Sequence, residues 1–180
     1  MSRIPLYDET ATVYHRRYLS IQREKYRVLV PYLSEGPLVD VGVGTGIGLS
    51  FLEGLCPIVG VDGSIGMLKV ARQQITEGKI NRECISLVCA SVTALPFRSG
   101  VFPSALSVTV IQNLQGVDKG VEEILRVIQP LQGRLGLTWL AATLSMHQVA
   151  QLVASKTVIV SKFYRLAGED DGLVLQINAH

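Results

Sequence analysis

Four glycines at alternate positions, in Gly42-Val43-Gly44-Thr45-Gly46-Ile47-Gly48, constrain this chain more than any other stretch. They follow Pro37-Leu38-Val39-Asp40-Val41, which reads as a short buried strand, apolar but for one acid near its end. Glycine lacks a Cβ, so it tolerates positive φ and lets a ligand lie against the backbone. A helix is expected from about Ile47, its free N–H groups and positive dipole end facing that ligand. Strand, glycine turn and helix N-terminus together predict a nucleotide-type site in an α/β fold.

The glycine spacing narrows the choice. Dinucleotide folds need G-x-G-x-x-G; Gly42 and Gly44 begin that pattern, but Ile47 stands where its third glycine is required. What stands here is D-x-G-x-G-x-G, with the Asp40 carboxylate placed to pair with a cationic ligand group at the strand's carboxyl end. Residues 39–48 resemble the first motif of the class I S-adenosylmethionine-dependent methyltransferases, (V/L)-(D/E)-x-G-x-G-x-G.

Later stretches extend the resemblance over nearly the whole chain. Pro57-Ile58-Val59-Gly60-Val61-Asp62 reads as a second buried strand, and Asp62 lies about twenty residues beyond Gly42, the spacing at which α/β nucleotide folds set a carboxylate on the ribose hydroxyls. Two carboxylate oxygens can accept from the 2′- and 3′-hydroxyls together. NAD would be served equally by that position. Asp62-Gly63-Ser64-Ile65-Gly66-Met67-Leu68 then resembles the family's D-x-S-x-x-M-L, in which Ser caps the next helix and Met packs on adenine. Leu95-Pro96-Phe97 matches the end of its D-A-x-x-L-P-F block, with Ser91 in the slot of the usual Asp. A serine hydroxyl accepts more weakly and reaches less far than a carboxylate, and the Val92 N–H remains to meet the ring edge. Residues 122–135 resemble the architectural block E-I-x-R-V-L-x-P-G-G-x-L, with Gln132 replacing its first glycine. Tyr7-Asp8-x-x-Ala11-x-x-Tyr14 resembles the lid segment that precedes the family's core.

Periodicity fills in the rest. A first helix is expected from about Leu19, with Ile21, Val28, Leu29 and Tyr32 on its apolar face and Pro31 ending it. Further strands are expected at 84–89, 105–110 and 134–140, and helices at 65–76, 117–128 and 143–154. Two β-rich segments, 157–163 and 173–177, are joined by Ala167 to Gly172 as a hairpin-length link. The resemblance implies a three-layer α/β sandwich with a seven-stranded, mostly parallel sheet and a C-terminal antiparallel hairpin strand. It also implies one domain over 1–180, with 1–36 as lid and helix and 37–180 as cofactor-binding core.

Composition excludes several classes. Hydrophobic residues at 48% with 18% charged exclude disorder, and a net charge of +2 gives no nucleic-acid footprint. Arg3, Arg16, Arg17, Arg23, Lys25 and Arg27 read as the wet face of the first helix. Cys56, Cys84 and Cys89 lack metal spacing and point to a reduced, cytoplasmic setting. The uncharged run Leu135 to Ser155 carries six polar side chains and divides into strand and helix, so no membrane span is expected. His15, His147 and His180 are scattered, and neither a G-x-S-x-G elbow nor a Walker loop occurs.

The resulting expectation is a methyltransferase using S-adenosylmethionine and releasing S-adenosylhomocysteine by direct in-line displacement. Its implied cofactor residues are Tyr14, Asp40, Gly42, Gly44, Gly46, Asp62, Gly63, Met67, Ser91 and Val92. Gln112 and Asn113, at the carboxyl end of the fourth strand, are candidates for the substrate side. No catalytic residue and no metal ligand is assigned. The acceptor is expected to be a small molecule, with RNA or protein as alternatives. A non-catalytic cofactor-binding subunit and an NAD(P)-binding oxidoreductase are the rival readings.

Overall fold

All seven expected strands pair into one sheet of order β3-β2-β1-β4-β5-β7-β6. They are β1 (Leu38–Val41), β2 (Ile58–Asp62), β3 (Ile85–Cys89), β4 (Ser104–Val108), β5 (Leu131–Leu140), β6 (Val158–Arg165) and β7 (Asp170–Asn178). The computed structural model describes residues 4–78, 83–154, 158–165 and 170–178. Pairs among β1 to β5 are parallel, while β7 runs antiparallel to both β5 and β6. The expected link at 167–172 is only partly described: 166–169 lie outside the described residues, and Asp170 already begins β7.

Among the described residues four α-helices flank the sheet: α1 (Ile4–Leu29), α2 (Ile65–Thr76), α3 (Val117–Val127) and α4 (Met146–Ala154). Alternation along the strands sorts two cores. Val39 and Val41 face Val121 and Ile124 of α3 and Val149 and Val153 of α4. Leu38 packs on the other face with Tyr26 and Leu29 of α1 and Ile75 of α2. Chain order therefore reverses at β1/β4, and the carboxyl ends of those strands open a crevice there.

Three expectations need correction. No α-helix follows the glycine turn; two short 3₁₀ turns, Leu49–Phe51 and Glu53–Leu55, fill the crossover to β2. Gly48 and Gly54 lie in this segment, and glycine weakens a helix by about 1 kcal/mol relative to alanine. Gly48 also lies flat under α1, where an added Cβ would stand 2.0 Å from the Tyr26 ring.

The N-terminal helix, second, begins at Ile4 rather than Leu19 and stops at Leu29, two residues before Pro31. Its buried stripe is Gln22, Lys25, Tyr26 and Leu29, at helical spacing, while Ile21 is exposed. Lys25, read as part of the wet face, is only 2% exposed because Asp170 of β7 meets it inside.

Third, the cysteines do not all stay free: Cys56 and Cys84, at the starts of β2 and β3, are bonded to each other, leaving Cys89 as an exposed thiol. The remaining helix and strand boundaries shift by up to three residues, as at the starts of β5 (Leu131), α4 (Met146) and β7 (Asp170). Among the described residues no helix is long and apolar enough to cross a membrane.

Candidate cofactor and acceptor site

The crevice is a cleft of about 310 Å³ at the carboxyl ends of β1, β2 and β4. Its floor begins with the glycine turn. Gly42, Gly44 and Gly46 have φ of 85°, 56° and 77°, the left-handed region that glycine enters without strain. A Cβ on Gly42 would fall 2.2 Å from Val110 Cγ2, so the turn presses against the chain leaving β4. At Gly44 a Cβ would meet only the Gly42 carbonyl, 3.9 Å away, and would otherwise fill the open cleft. Gly46 does not line the cleft; it fits between Leu49 and Ala71 of α2.

Asp62 lines the cleft from the tip of β2. Its Oδ2 accepts from the Gly44 N–H at 2.9 Å and its Oδ1 from the Ser64 N–H at 2.8 Å. The carboxylate thus ties the glycine turn to the start of α2 and keeps lone pairs for further donors. Burial raises its pKa, and the backbone hydrogen bonds oppose that rise. Ser64 caps α2 by accepting from the Met67 N–H at 3.0 Å, which sets Met67 in the cleft wall beside Gly63. Ser91 and Val92 also line the cleft, where Ser91 Oγ lies 2.9 Å from Thr93 Oγ1.

The loop carrying Ser91 and Val92 is braced from α3. Glu123 accepts from the Leu95 N–H at 2.9 Å, and Arg126 donates to the Phe97 carbonyl at 2.8 Å and the Leu95 carbonyl at 3.1 Å. Glu123 and Arg126 also pair at 2.6 Å, which lowers the carboxyl pKa and raises that of the guanidinium. The E-I-x-R block thereby acts on the L-P-F block.

Asp40 does not reach the cleft. It is wholly buried below the glycine turn, where Tyr26 donates to its Oδ2 at 2.8 Å. Its Oδ1 is buried without a hydrogen-bond partner. Burial, opposed by the Tyr26 bond, pushes its pKa up to about 7. The expected contact between Asp40 and a ligand's ammonium group is therefore not direct in this arrangement; the acid lies one layer beneath the turn. A strand-tip residue facing α1 rather than the crevice explains the difference, because side chains alternate between sheet faces.

On the acceptor side the two candidates separate. Asn113 lines the cleft, whereas the Gln112 amide turns inward and donates to the Thr109 carbonyl at 2.8 Å. Tyr14 falls on α1, but its side chain is outside the described residues; Tyr7 of the same helix does line the cleft. Sequence reasoning missed Thr109, Val110, Leu114 and Gln115, which form much of this wall. Their position just beyond a strand's carboxyl end at the crossover was the available signal.

A methyltransferase-domain family model matches residues 39–135, more than half of the chain. The chain belongs to that family. A demethylmenaquinone methyltransferase of Thermobifida fusca is 27% identical over 85% of this chain and 77% of its own length. The 18S rRNA (guanine-N(7))-methyltransferase bud23 of Schizosaccharomyces pombe is 38% identical over 57% of this chain, which spans only 38% of that protein. Among solved structures, a SAM-dependent methyltransferase from Aquifex aeolicus superposes with a TM-score of 0.80 at 16% identity, covering 94% of this chain and 98% of that one. The methyltransferase is thus a class I, S-adenosylmethionine-dependent domain, and the oxidoreductase reading falls away. Its own residues fit that cofactor: bare backbone at Gly44, a half-buried carboxylate at Asp62, and the apolar surfaces of Met67 and Val92 meet in one cleft.

Proposed function

We propose that this methyltransferase acts on a small, largely apolar acceptor, with the cofactor held by Asp62, Gly42, Gly44, Gly63, Met67, Ser91 and Val92. The observation that carries this reading is the wall beyond the glycine turn, where Val108, Val110 and Leu114 present aliphatic surface and Asn113 and Gln115 supply neutral amides. Such a wall suits a neutral ring better than a phosphate backbone, whose recognition needs Lys or Arg. Similarity to demethylmenaquinone methyltransferases supports a cyclic, hydroxylated acceptor of that kind. Similarity to an rRNA enzyme covers a smaller share of the chain.

S-adenosylmethionine supplies a sulfonium-bound methyl group that a nucleophile can displace in line. The protein's work is then to bind, orient and exclude water, since holding reactants in near-attack geometry lowers the barrier by up to about 7–11 kcal/mol. Asp62 would fix the ribose, the glycine turn would receive the amino acid tail, and Met67 with Val92 would enclose adenine. Tyr7, reaching from α1, would cover the open side. We read α1 and the sheet as one working unit, because Asp8 accepts from Ser64 Oγ and the Gly66 N–H at 2.6 Å each. Those hydrogen bonds, first of all that from Ser64, also lower the Asp8 pKa.

The test is a methyl-transfer screen with labelled cofactor over hydroxylated naphthoquinols, other small phenols, an rRNA fragment and protein. Turnover of the small aromatic class is the expected result. Turnover of the RNA alone contradicts the acceptor assignment, and S-adenosylhomocysteine binding with no turnover anywhere marks a cofactor-binding subunit.

A further inference from the structure

Thr109 stands where β4 ends and the acceptor wall begins, and its φ is 61°. A β-branched residue in that region is a genuine outlier, held only where its surroundings over-determine it. Here the surroundings are unusually complete. Thr109 Oγ1 receives a hydrogen bond from Lys25 Nζ at 2.7 Å, donates to Asp170 Oδ2 at 2.8 Å, and lies 3.3 Å from Thr138 Oγ1. Its backbone N–H reaches both the Thr138 hydroxyl at 2.9 Å and the Thr138 carbonyl at 3.0 Å. Lys25 and Asp170 close the cluster with a 2.6 Å ion pair, both side chains almost wholly buried.

The cluster has a direct consequence for the cleft. Thr109 hands the chain to Val110, whose side chain is the one a Gly42 Cβ would strike, and its carbonyl holds the Gln112 amide. We propose that the Lys25–Asp170 pair is a positioning device for methyl transfer: it clamps Thr109 in the left-handed conformation and thereby fixes the acceptor wall against the glycine turn. Lys25 and Asp170 are positioning residues in this account, because they act through Thr109. The inference rests on reading the cleft as the cofactor site, but its conformational half can be tested without any ligand.

A buried ion pair replaced by well-packed apolar residues is often neutral to stability, which allows positioning to be separated from folding. The variant Lys25→Met/Asp170→Leu is compared with the natural chain in two ways. Hydrogen exchange of the ligand-free proteins is expected to show at least tenfold faster exchange over 109–114, with β1 and β2 unchanged. Titration with S-adenosylhomocysteine is expected to show at least tenfold weaker binding at a thermal midpoint within a few degrees of the natural chain. Adding Thr109→Gly should recover most of that affinity, since glycine enters the left-handed region unaided.

Unchanged exchange over 109–114 overturns the clamp whatever the ligand result. Unchanged affinity in a folded variant, or affinity that Thr109→Gly fails to recover, overturns the positioning role. Should the double variant not fold, Thr109→Val deletes the same Oγ contacts at one atom and is held to the same two readouts. Absence of binding by the natural chain would count against the cofactor reading instead, leaving the exchange result to decide the clamp.

Discussion

The two walls of the cleft are built by different means. On the cofactor side, Asp62 bonds to Ser64 two residues on and to Gly44 eighteen residues back, and Ser64 to Met67 three on. Across the cleft, Thr109 depends on Lys25, 84 residues away, and on Asp170, 61 residues away. One wall is local backbone chemistry, repeated wherever a cofactor of constant shape must be held. The other is assembled from four separate segments, around Lys25, Thr109, Thr138 and Asp170, and meets the first where Val110 presses on Gly42. That division suits a fold in which the donor is fixed and the acceptor varies.

If the division is real, damage to the turn should be the most costly. Gly42→Ala adds a Cβ 2.2 Å from Val110 at a φ of 85°. We expect S-adenosylhomocysteine affinity to fall about a hundredfold, roughly 2.7 kcal/mol, together with a stability loss of about 1–3 kcal/mol from overpacking. Affinity within threefold of the natural chain, measured by calorimetry, would show that the turn is not part of the binding wall.

A smaller effect should come from beneath the turn. Asp40 has its pKa raised to about 7, so the folded chain holds its proton more tightly than the unfolded chain does. Its stabilising contribution is therefore full below about pH 4 and is lost as pH rises toward 7. An ammonium-bearing ligand one layer above reverses the preference and favours the ionised acid. S-adenosylhomocysteine binding should strengthen about tenfold from pH 6 to pH 8, one pKa unit's worth of free energy. Methylthioadenosine, which lacks the amino acid tail, should show no such slope, and Asp40→Asn should abolish it. Persistence of the slope in Asp40→Asn would transfer it to another group, with Asp62, whose pKa burial also raises, as the candidate.

The α3 brace sharpens the comparison, since it serves the cofactor wall from outside it. Arg126→Ala removes charge-assisted bonds to two loop carbonyls at a half-exposed site, so a loss of about 1–2 kcal/mol is expected. Cofactor-product affinity should weaken several-fold through Ser91 and Val92. Equal affinity at reduced thermal stability would make the brace purely structural. The least effect belongs to Ser64→Ala, which deletes the α2 cap and one Asp8 partner: about 1 kcal/mol of stability, read from denaturant midpoints, with binding nearly unchanged.

The same contrast explains what the sequence disclosed. Gly42, Asp62, Ser64, Met67 and the L-P-F block carry their meaning in short spacings, and each falls in or beside the cleft. Short apolar or β-rich runs between turn residues were enough to place all seven strands, because buried strands flanked by helices carry apolar side chains toward both cores. Lys25 was misread because a lysine on a helix is normally solvated; only the fold brings Asp170 to it. Asp40 was placed at the ligand because its motif says so, yet which sheet face it occupies depends on α1. The missing helix after Ile47 shows a local signal overridden by contact, with Gly48 pressed under Tyr26.

Because Asp62 also ties the glycine turn to α2, its substitution would mix binding with folding, and direct observation is the cleaner test. A crystal structure with S-adenosylhomocysteine bound should show both ribose hydroxyls within hydrogen-bonding distance of the Asp62 carboxylate, adenine between Met67 and Val92, and the sulfur facing Val110 and Asn113. A ligand bound with its ribose away from Asp62, or with the sulfur turned from that wall, would contradict the account.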